Sequence, residues 1–546
     1  MTTRPERWWQ SATGYQIYPR SFCDSDGDGI GDIPGIISRL DHLADLGIGV
    51  IWLSPVYASP MADMGYDIAD YRAIAPEFGT MDDMDRLIAE ARDRGIGIVM
   101  DLVVNHTSDR HAWFEAAKRD RGAPEHDLYI WREPGPDGAP PDDQQACFGG
   151  PAWHWVPGVG RYYYGHFSAA QPDLNWQNPD LRTRVFDMMR WWLGRGIAGF
   201  RMDVISLIGK DVDARLYEEG PDLHRFLQEM RREVLAGRDI LTIGESWSVS
   251  TGTAPLYCSG DDAPLDMVFQ FNHVTADWHP TLGKWRPKPR DLVALKRVLF
   301  DWQHALAEDG WNALFLSNHD LPRQVSAFGD DGAFRIASAK ALATALHLLK
   351  GTPFVYQGEE IGMTNARFTD IAQYRDIETL GHYAEQTANG VTPADFIAGA
   401  NISSRDNART PMQWSDAAHG GFTTGTPWIE ANPNHPRINV AADRADPDGV
   451  FRHYRRLIAL RREHAIIRHG RCAPCLEDHP QVMAYTRVLG AERLVVLANL
   501  SGAIAEVALP DALTAGGETL IATHGARDLS GGSLTLHPWE ALARLS

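Results

Sequence analysis

A closed (β/α)8 barrel is the fold class this sequence predicts, in α/β terms a TIM barrel. It carries a lid domain inserted after the third strand and a C-terminal antiparallel β domain. Three observations predict it. Eight short apolar, β-rich runs recur along the chain, most are followed by an amphipathic helical pattern, and polar residues gather at the ends of the runs. The runs begin at Tyr15 (YQIYPR), Ile48 (IGVIWLSP), Gly97 (GIVMDLVVNH), Ala198 (AGFRMDV), Ile240 (ILTIGES), Met267 (MVFQF), Asn312 (NALFLSNHD) and Thr352 (TPFVYQGEE). Between them MDDMDRLIAEARDRG, DLRTRVFDMMRWWLGRG, PRDLVALKRVLFDWQHALAE and FRIASAKALATALHLLKG read as helices. A doubly wound open sheet would want a Gly-rich phosphate turn after its first strand, and YQIYPRSF has none.

Two segments break the rhythm. Residues 105–174 are rich in Pro, Gly, Asp and Trp and too long for an ordinary βα loop, so they read as a small inserted domain. After a last helix, FRHYRRLIALRREHA, the pattern turns to short strands (VMAYTRVL, RLVVLANLS, AEVALP). The expected division is barrel at 1–104, insert at 105–174, barrel again at 175–470 and β domain at 471–546.

The length of 546 residues suits one such barrel with two additions. Asp and Glu outnumber Lys and Arg by 72 to 52, a formal charge of −20. A phosphate backbone or anionic membrane repels such a surface, so neither nucleic acid nor membrane is an expected partner. Eighteen Trp and sixteen Tyr are compatible with a ligand that has an apolar face and hydroxyl edges, as a sugar does. MTTRPERWWQSATGYQ has no apolar core, and no run is long enough to span a bilayer. Five scattered Cys argue against a disulfide framework. Cys472 and Cys475 form a C-x-x-C with only His469 nearby, which falls short of a zinc set. The expected location is the cytoplasm.

Chemistry in such a barrel sits at the C-terminal strand ends. Those ends carry Asp101, Asn105 and His106, then Arg201 and Asp203, then Glu245, then His319 and Asp320. Strand residues i and i+2 share a face, so Arg201 and Asp203 point together into the barrel mouth. An adjacent guanidinium favours the charged carboxylate, which would keep Asp203 ionised. Glu245, in the apolar string ILTIGESW, would hold a proton instead. Two carboxyls in contrasting environments are what retaining glycoside hydrolysis needs.

At these residues the sequence resembles the α-amylase family, glycoside hydrolase family thirteen. DLVVNH, GFRMDV, GES and SNHD are similar to its four strand-end motifs, in order. QPDLNW, SRDNARTPMQW and YQGEEIGMTN resemble strings of its oligo-1,6-glucosidase, dextran glucosidase and α-glucosidase branch. The resemblance implies Asp203 as nucleophile, Glu245 as acid and then base, and Asp320 as holder of the sugar's 2- and 3-hydroxyls. It implies His106, His319 and Arg201 gripping the same glucose, and Asp63 and Tyr66 in the pocket floor. Arg405 is the first choice to complete that floor and Arg409 the alternative. Trp247, Lys284 and Glu378 would border the aglycone. A closed floor implies exo-action, and water or a sugar hydroxyl could resolve the covalent intermediate, so transglucosylation is open as well as hydrolysis.

DSDGDGIGD places Asp24, Asp26, Asp28 and Asp32 at alternating positions with the Ile30 carbonyl between them. Hard oxygen ligands in a Gly-rich turn suit Ca2+, and the resemblance implies one structural calcium; no organic cofactor is expected. The turn is not a helix–loop–helix hand, since Gly35 stands at the twelfth position.

Val204 follows the expected nucleophile. In the branch this sequence resembles, Val there accompanies a preference for α-1,6 links and Thr or Ala accompanies α-1,4. A β-branched side chain is stiff and would narrow the space beside the scissile bond. The expected substrates are isomaltose, isomaltooligosaccharides and panose, with maltose or sucrose as the α-1,4 alternative. Trehalose-6-phosphate hydrolases also carry Val, but no Lys and Arg cluster stands ready for a phosphate. Sucrose isomerases carry an Arg-rich loop where this chain has HDLPRQVSAFGDD. A catalytically dead sugar-binding relative would lack the three carboxylates. The expected assembly is a monomer or homodimer acting on small oligosaccharides.

Overall fold

The computed structural model describes residues 6–280, 282–514 and 516–546. The first five residues, part of the segment read above for a secretory signal, lie outside these. All eight predicted runs form strands: β1 (Gly14–Ile17), β2 (Val50–Leu53), β3 (Gly97–Leu102), β4 (Gly199–Met202), β5 (Leu241–Ser246), β6 (Met267–Gln270), β7 (Ala313–Leu314) and β8 (Thr352–Tyr356). Each pairs in parallel with the next, β8 returns to β1, and a parallel bridge from Val268 to Asn312 joins β6 to β7. The sheet is therefore a closed barrel. Strands buried on both faces need no polar alternation, which is why β1, β2 and β8 are buried along their whole length.

Seven helices matter below: α1 (Ile33–Ser38), α2 (Met81–Asp93), α3 (Pro179–Gly194), α4 (Leu292–Ala305), α5 (Arg335–His347), α6 (Ile377–Ala388) and α7 (Val450–Glu463). α2 shows the local logic. Thr80 and Asp83 form a capping box at its start, and Met84, Leu87, Ile88 and Ala91 make one buried stripe against the barrel. Gly199 opens β4 with φ of 152°, and a Cβ there would lie 1.8 Å from the Leu241 carbonyl oxygen. Only glycine lets β4 and β5 approach in the register that sets Arg201 opposite Ile243, two residues before Glu245.

The segment between β3 and α3 holds a small antiparallel sheet of Trp131–Arg132, Arg161–Tyr164 and Trp153–Val156. Its two ends are tied together by bridges from His106 to Asp173 and from Tyr129 to Leu174. At the other end of the chain, a five-stranded antiparallel sheet runs from Arg471–Cys475 to Ala541–Leu545. The ammonium of Lys296, on α4, donates to the carbonyls of Leu476, His479 and Val482 and fastens this sheet to the barrel. Cys472 and Cys475 sit three apart on its edge strand, on opposite faces, and both are free thiols. The stretch from β8 to α7 is longer than any βα loop the sequence pattern suggested. It carries α6, and it supplies much of the site.

Candidate active site

Arg201 organises the strand ends. Its Nη1 lies 2.6 Å from Asp101 and 2.8 Å from Asp203, and its Nη2 lies 2.6 Å from Glu245. The guanidinium is buried over the Trp52 ring at 4.7 Å. Asp101 also accepts from Trp52 Nε1 and the Tyr66 hydroxyl, so it braces the arginine from below. This corrects two sequence expectations. Arg201 is a shared counter-ion beneath the carboxylates and not a wall of the pocket, and Glu245 is not in an apolar setting. Sequence neighbours along β4 revealed the Arg201–Asp203 pair, but the cross-strand partner depends on register. Glu245 Oε2 accepts a second bond, 2.9 Å from the Val204 N–H. Val204 has φ of 35°, a left-handed conformation strained for a β-branched residue.

One arginine among Asp101, Asp203 and Glu245 leaves excess negative charge. Burial pushes Asp203 well up, and Arg201 offsets only part of this against the neighbouring carboxylates. Burial likewise raises Glu245, again partly offset by Arg201. Both carboxyls are therefore held above the ordinary carboxylate range, Asp203 well above it. Asp320 behaves in the opposite way. Burial alone would raise it, but His319, Arg405 and Arg409 outweigh burial and hold the carboxyl below its usual range. Burial brings His319 down to about 3 and His106 to about 4, so both are neutral hydrogen-bonding rings at neutral pH.

A pocket of about 260 Å³ opens above these groups. Asp203, Glu245, Asp320, Asp63, Tyr66, His106, His319, Val204, Trp247, Lys284, Glu378 and Arg405 all line it. Its floor is closed by Arg405, whose Nη2 reaches Asp63 at 3.2 Å while Nη1 reaches Asp320 at 3.2 Å. Asp376 holds the same guanidinium at 2.5 Å, and Glu378 lies 3.3 Å from its Nε. Arg409 sits behind, donating to Asp320 at 3.0 Å and to the His319 carbonyl. Of the two arginines weighed from sequence, Arg405 is the one in the floor. Tyr66 lies parallel to the His319 ring at 5.1 Å. Burial lifts Asp63 to about 6 despite Arg405.

Several contributors went unrecognised in the sequence. Gln171 opens QPDLNW, and its amide donates to Asp63 at 3.0 Å. Asp376 looks like an ordinary helix N-cap, and it does cap α6 through Glu378 and Thr379 while gripping Arg405. Cys147, Phe148, His166 and Phe167 from the insert form the outer wall, where no periodicity betrayed them. The wall rests on α6. His382 Nε2 meets the Cys147 carbonyl at 3.2 Å, and a Cβ on Gly381 would lie 2.1 Å from the Phe148 oxygen. That close approach accounts for a glycine inside a helix. Elsewhere in the lining Trp247 stacks on Phe271, and Lys284 pairs with Glu378 at 2.5 Å.

The acidic turn lies apart from the pocket. Carboxylate oxygens of Asp24, Asp26 and Asp28 come within 4.8 Å of one another. Asp32 stands outside that group. It is the N-cap of α1, accepting from Gly35 N at 2.6 Å and from the Ser25 N–H and hydroxyl. The turn is packed against a later loop, with Trp428 N donating to the Gly29 carbonyl and Asp24 N to Phe422.

With this geometry in place, comparison with known families is direct. Residues 16–470 match the model "Alpha amylase, catalytic domain" and residues 482–542 match "Alpha-amylase SusG C-terminal domain". The chain belongs to the α-amylase catalytic family and is a glycoside hydrolase. Within it, the chain is 50% identical to an oligo-1,6-glucosidase of Halalkalibacterium halodurans, over 98% of both chains. It is also 50% identical to a palatinase of Erwinia rhapontici over the same shares. Among solved structures, a Bacillus licheniformis trehalose-6-phosphate hydrolase superposes with a TM-score of 0.94 at 44% identity, covering 99% of this chain and all of that one.

Proposed function

We propose that the chain is a retaining, exo-acting α-glucosidase. It removes one glucose at a time from the non-reducing end of short α-glucosides, with preference for α-1,6 links. The observation that carries this is the dead-ended pocket, closed by the Asp63–Arg405 pair directly beyond Asp320. Asp203 and Glu245 each bind one Nη atom of the same guanidinium, which holds the two carboxyls as neighbours, as a retaining pair requires. In the reactive protonation state Glu245 holds a proton and Asp203 is ionised. Asp203 attacks the anomeric carbon while Glu245 protonates the leaving oxygen, and Glu245 then draws a proton from the water or sugar hydroxyl that releases the glucosyl group. Asp320, kept ionised, receives the 2- and 3-hydroxyls, neutral His106 and His319 flank the ring, and Asp63 takes the 4-hydroxyl.

Linkage preference draws support from the relatives named for α-1,6 substrates, including a glucan 1,6-alpha-glucosidase of Streptococcus pneumoniae at 49% identity, and from Val204 beside the scissile bond. A phosphorylated aglycone fits poorly. Among the described residues lining the pocket, Lys284 and Arg405 are the Lys and Arg, both already hold carboxylates, and six carboxylates face them. A panel of isomaltose, maltose, sucrose and trehalose-6-phosphate, with anomer detection, tests the reading. Isomaltose is expected to be cleaved fastest with α-glucose released first; faster trehalose-6-phosphate turnover, or initial β-glucose, would overturn it.

Asp24, Asp26 and Asp28 would hold a structural Ca2+, since three oxygen donors already converge there. Its loss to a chelator is expected to lower the melting temperature without changing substrate ranking. No helix among the described residues is long and apolar enough to cross a membrane. The five free thiols accord with a reducing cytoplasm, the proposed location.

A further inference from the structure

A second cavity, of about 390 Å³, lies between the insert and the loop that follows β4, and it shares no lining residue with the catalytic pocket. Its ionisable lining is balanced. Asp127, Asp211 and Asp222 stand against Arg132, Arg161 and Lys210. The cations are also committed elsewhere: Arg132 to Asp213 at 2.7 Å, Arg161 to Glu133 at 2.6 Å and Lys210 to Asp173 at 2.9 Å. A phosphate or carboxylate ligand would find no free positive charge. Acceptors, by contrast, are available. The Asp127 carboxylate has no hydrogen-bond donor among the described residues, and Asp211 uses only its Oδ1, for the Asp213 and Ala214 N–H groups. The exposed amide of Gln177 stands at the rim, its Nε2 donating to Asp222 at 2.7 Å and keeping a second N–H for a ligand. Free carboxylate oxygens beside an amide, in a charge-balanced cleft of this volume, suit a neutral polyol with many hydroxyl donors.

We propose that this cleft is a second, non-catalytic binding site for a neutral oligosaccharide, of the same chemical class as the substrate. The reading rests on the α-glucosidase function given above. The two sites also share a wall. Val204, Leu207 and Glu218 face the catalytic pocket, while Gly209 to Val212, on the same loop, face the cleft. Lys210 joins the faces, donating to Leu207 O at 3.0 Å and to Asn105 Oδ1 at 2.6 Å, and Asn105 in turn touches His106 Nδ1 at 3.1 Å. Occupancy of the cleft therefore bears on a loop and a histidine that contact the substrate.

The test is isothermal titration of the full-length Glu245→Gln chain with isomaltotriose, repeated with Asp127→Ala and Asp211→Ala added. Two binding events per chain are expected, the weaker one falling by about tenfold or more when both aspartates are removed, the loss of at least one hydrogen bond to a charged acceptor. The same two substitutions in the otherwise native chain are expected to leave kcat/KM at low isomaltose unchanged. A single event in the Glu245→Gln chain, or a second event that survives both substitutions, overturns the proposal. Failure of the stronger event as well would count against the catalytic reading instead, so the two failures are distinguishable.

Discussion

Replacing Arg405 by alanine tests the pocket floor most directly. In the native chain this guanidinium touches Asp63, Asp320, Asp376 and Glu378. Without it the four acids fare differently. Asp320 keeps Arg409 and His319, and Glu378 keeps Lys284. Asp376 keeps the α6 N–H groups and a distant Arg409 at 3.7 Å. Among the described residues Asp63 keeps the Gln171 amide and the electrostatic pull of Arg409, and with a carboxyl already lifted to about 6 it would become largely protonated near neutrality. The acceptor for the 4-hydroxyl thus loses its charge, and its neighbours lose their alignment. Breaking a buried, hydrogen-bonded ion pair costs about 3–5 kcal/mol. If roughly 3 kcal/mol of that falls on the transition state, kcat/KM for isomaltose drops on the order of a hundredfold. The assay is steady-state hydrolysis at pH 7, with circular dichroism to confirm the fold and Arg405→Lys as a variant that keeps the charge but not the fork. Arg405→Ala retaining kcat/KM within tenfold of the native chain while folded would refute the reasoning.

Three further outcomes are expected. Glu245→Gln should lose about a thousandfold or more on isomaltose but far less on a glucoside with a phenolate leaving group, which needs no acid; equal losses on both would remove Glu245 from the acid role. Asp63 has a folded pKa of about 6, raised from the ordinary 3.8 chiefly by burial, so two trends run in opposite directions. Its stabilising contribution is full below about pH 4 and is lost as pH rises through 6, whereas affinity for glucose as an inhibitor is full above pH 6 and falls below it. Asp63→Asn should flatten both curves, which inhibition constants and urea midpoints between about pH 4 and 8 will show. Gly381→Ala should destabilise the chain by about 1–3 kcal/mol, because its Cβ meets the Phe148 carbonyl 2.1 Å away. A stability gain of the kind helix propensity alone favours would disprove that contact.

Much of this architecture can be read from the chain before any coordinates. Parallel strands are buried on both faces, so β2 and β8 announce themselves as unbroken apolar runs, and the i, i+2 rule aligns Arg201 with Asp203. What lies across a register was not legible. The Arg201–Glu245 contact depends on how β4 sits against β5, and an expectation built on ILTIGESW alone misjudged the setting of Glu245. Asp376 was hidden for a different reason, since an aspartate before a helix is explained completely by capping until its Oδ1, which accepts from the Glu378 N–H, is seen on Arg405 as well. The insert wall was hidden because Cys147 and Phe148 belong to no periodic element.

The Asp63–Arg405 closure joins residues 342 positions apart. During synthesis the carboxylates, the histidines and most of the barrel leave the ribosome well before the residue that shuts the pocket. A nascent chain can therefore possess its nucleophile and its acid while still lacking a dead end. Long-range contacts of this kind are late and costly in loop entropy, so the pocket is expected to be among the last features to form on folding and the first to open under mild denaturant. Hydrolytic activity then reports that the chain has been made and folded past Arg405, and its loss should precede the loss of helix signal when the protein is unfolded.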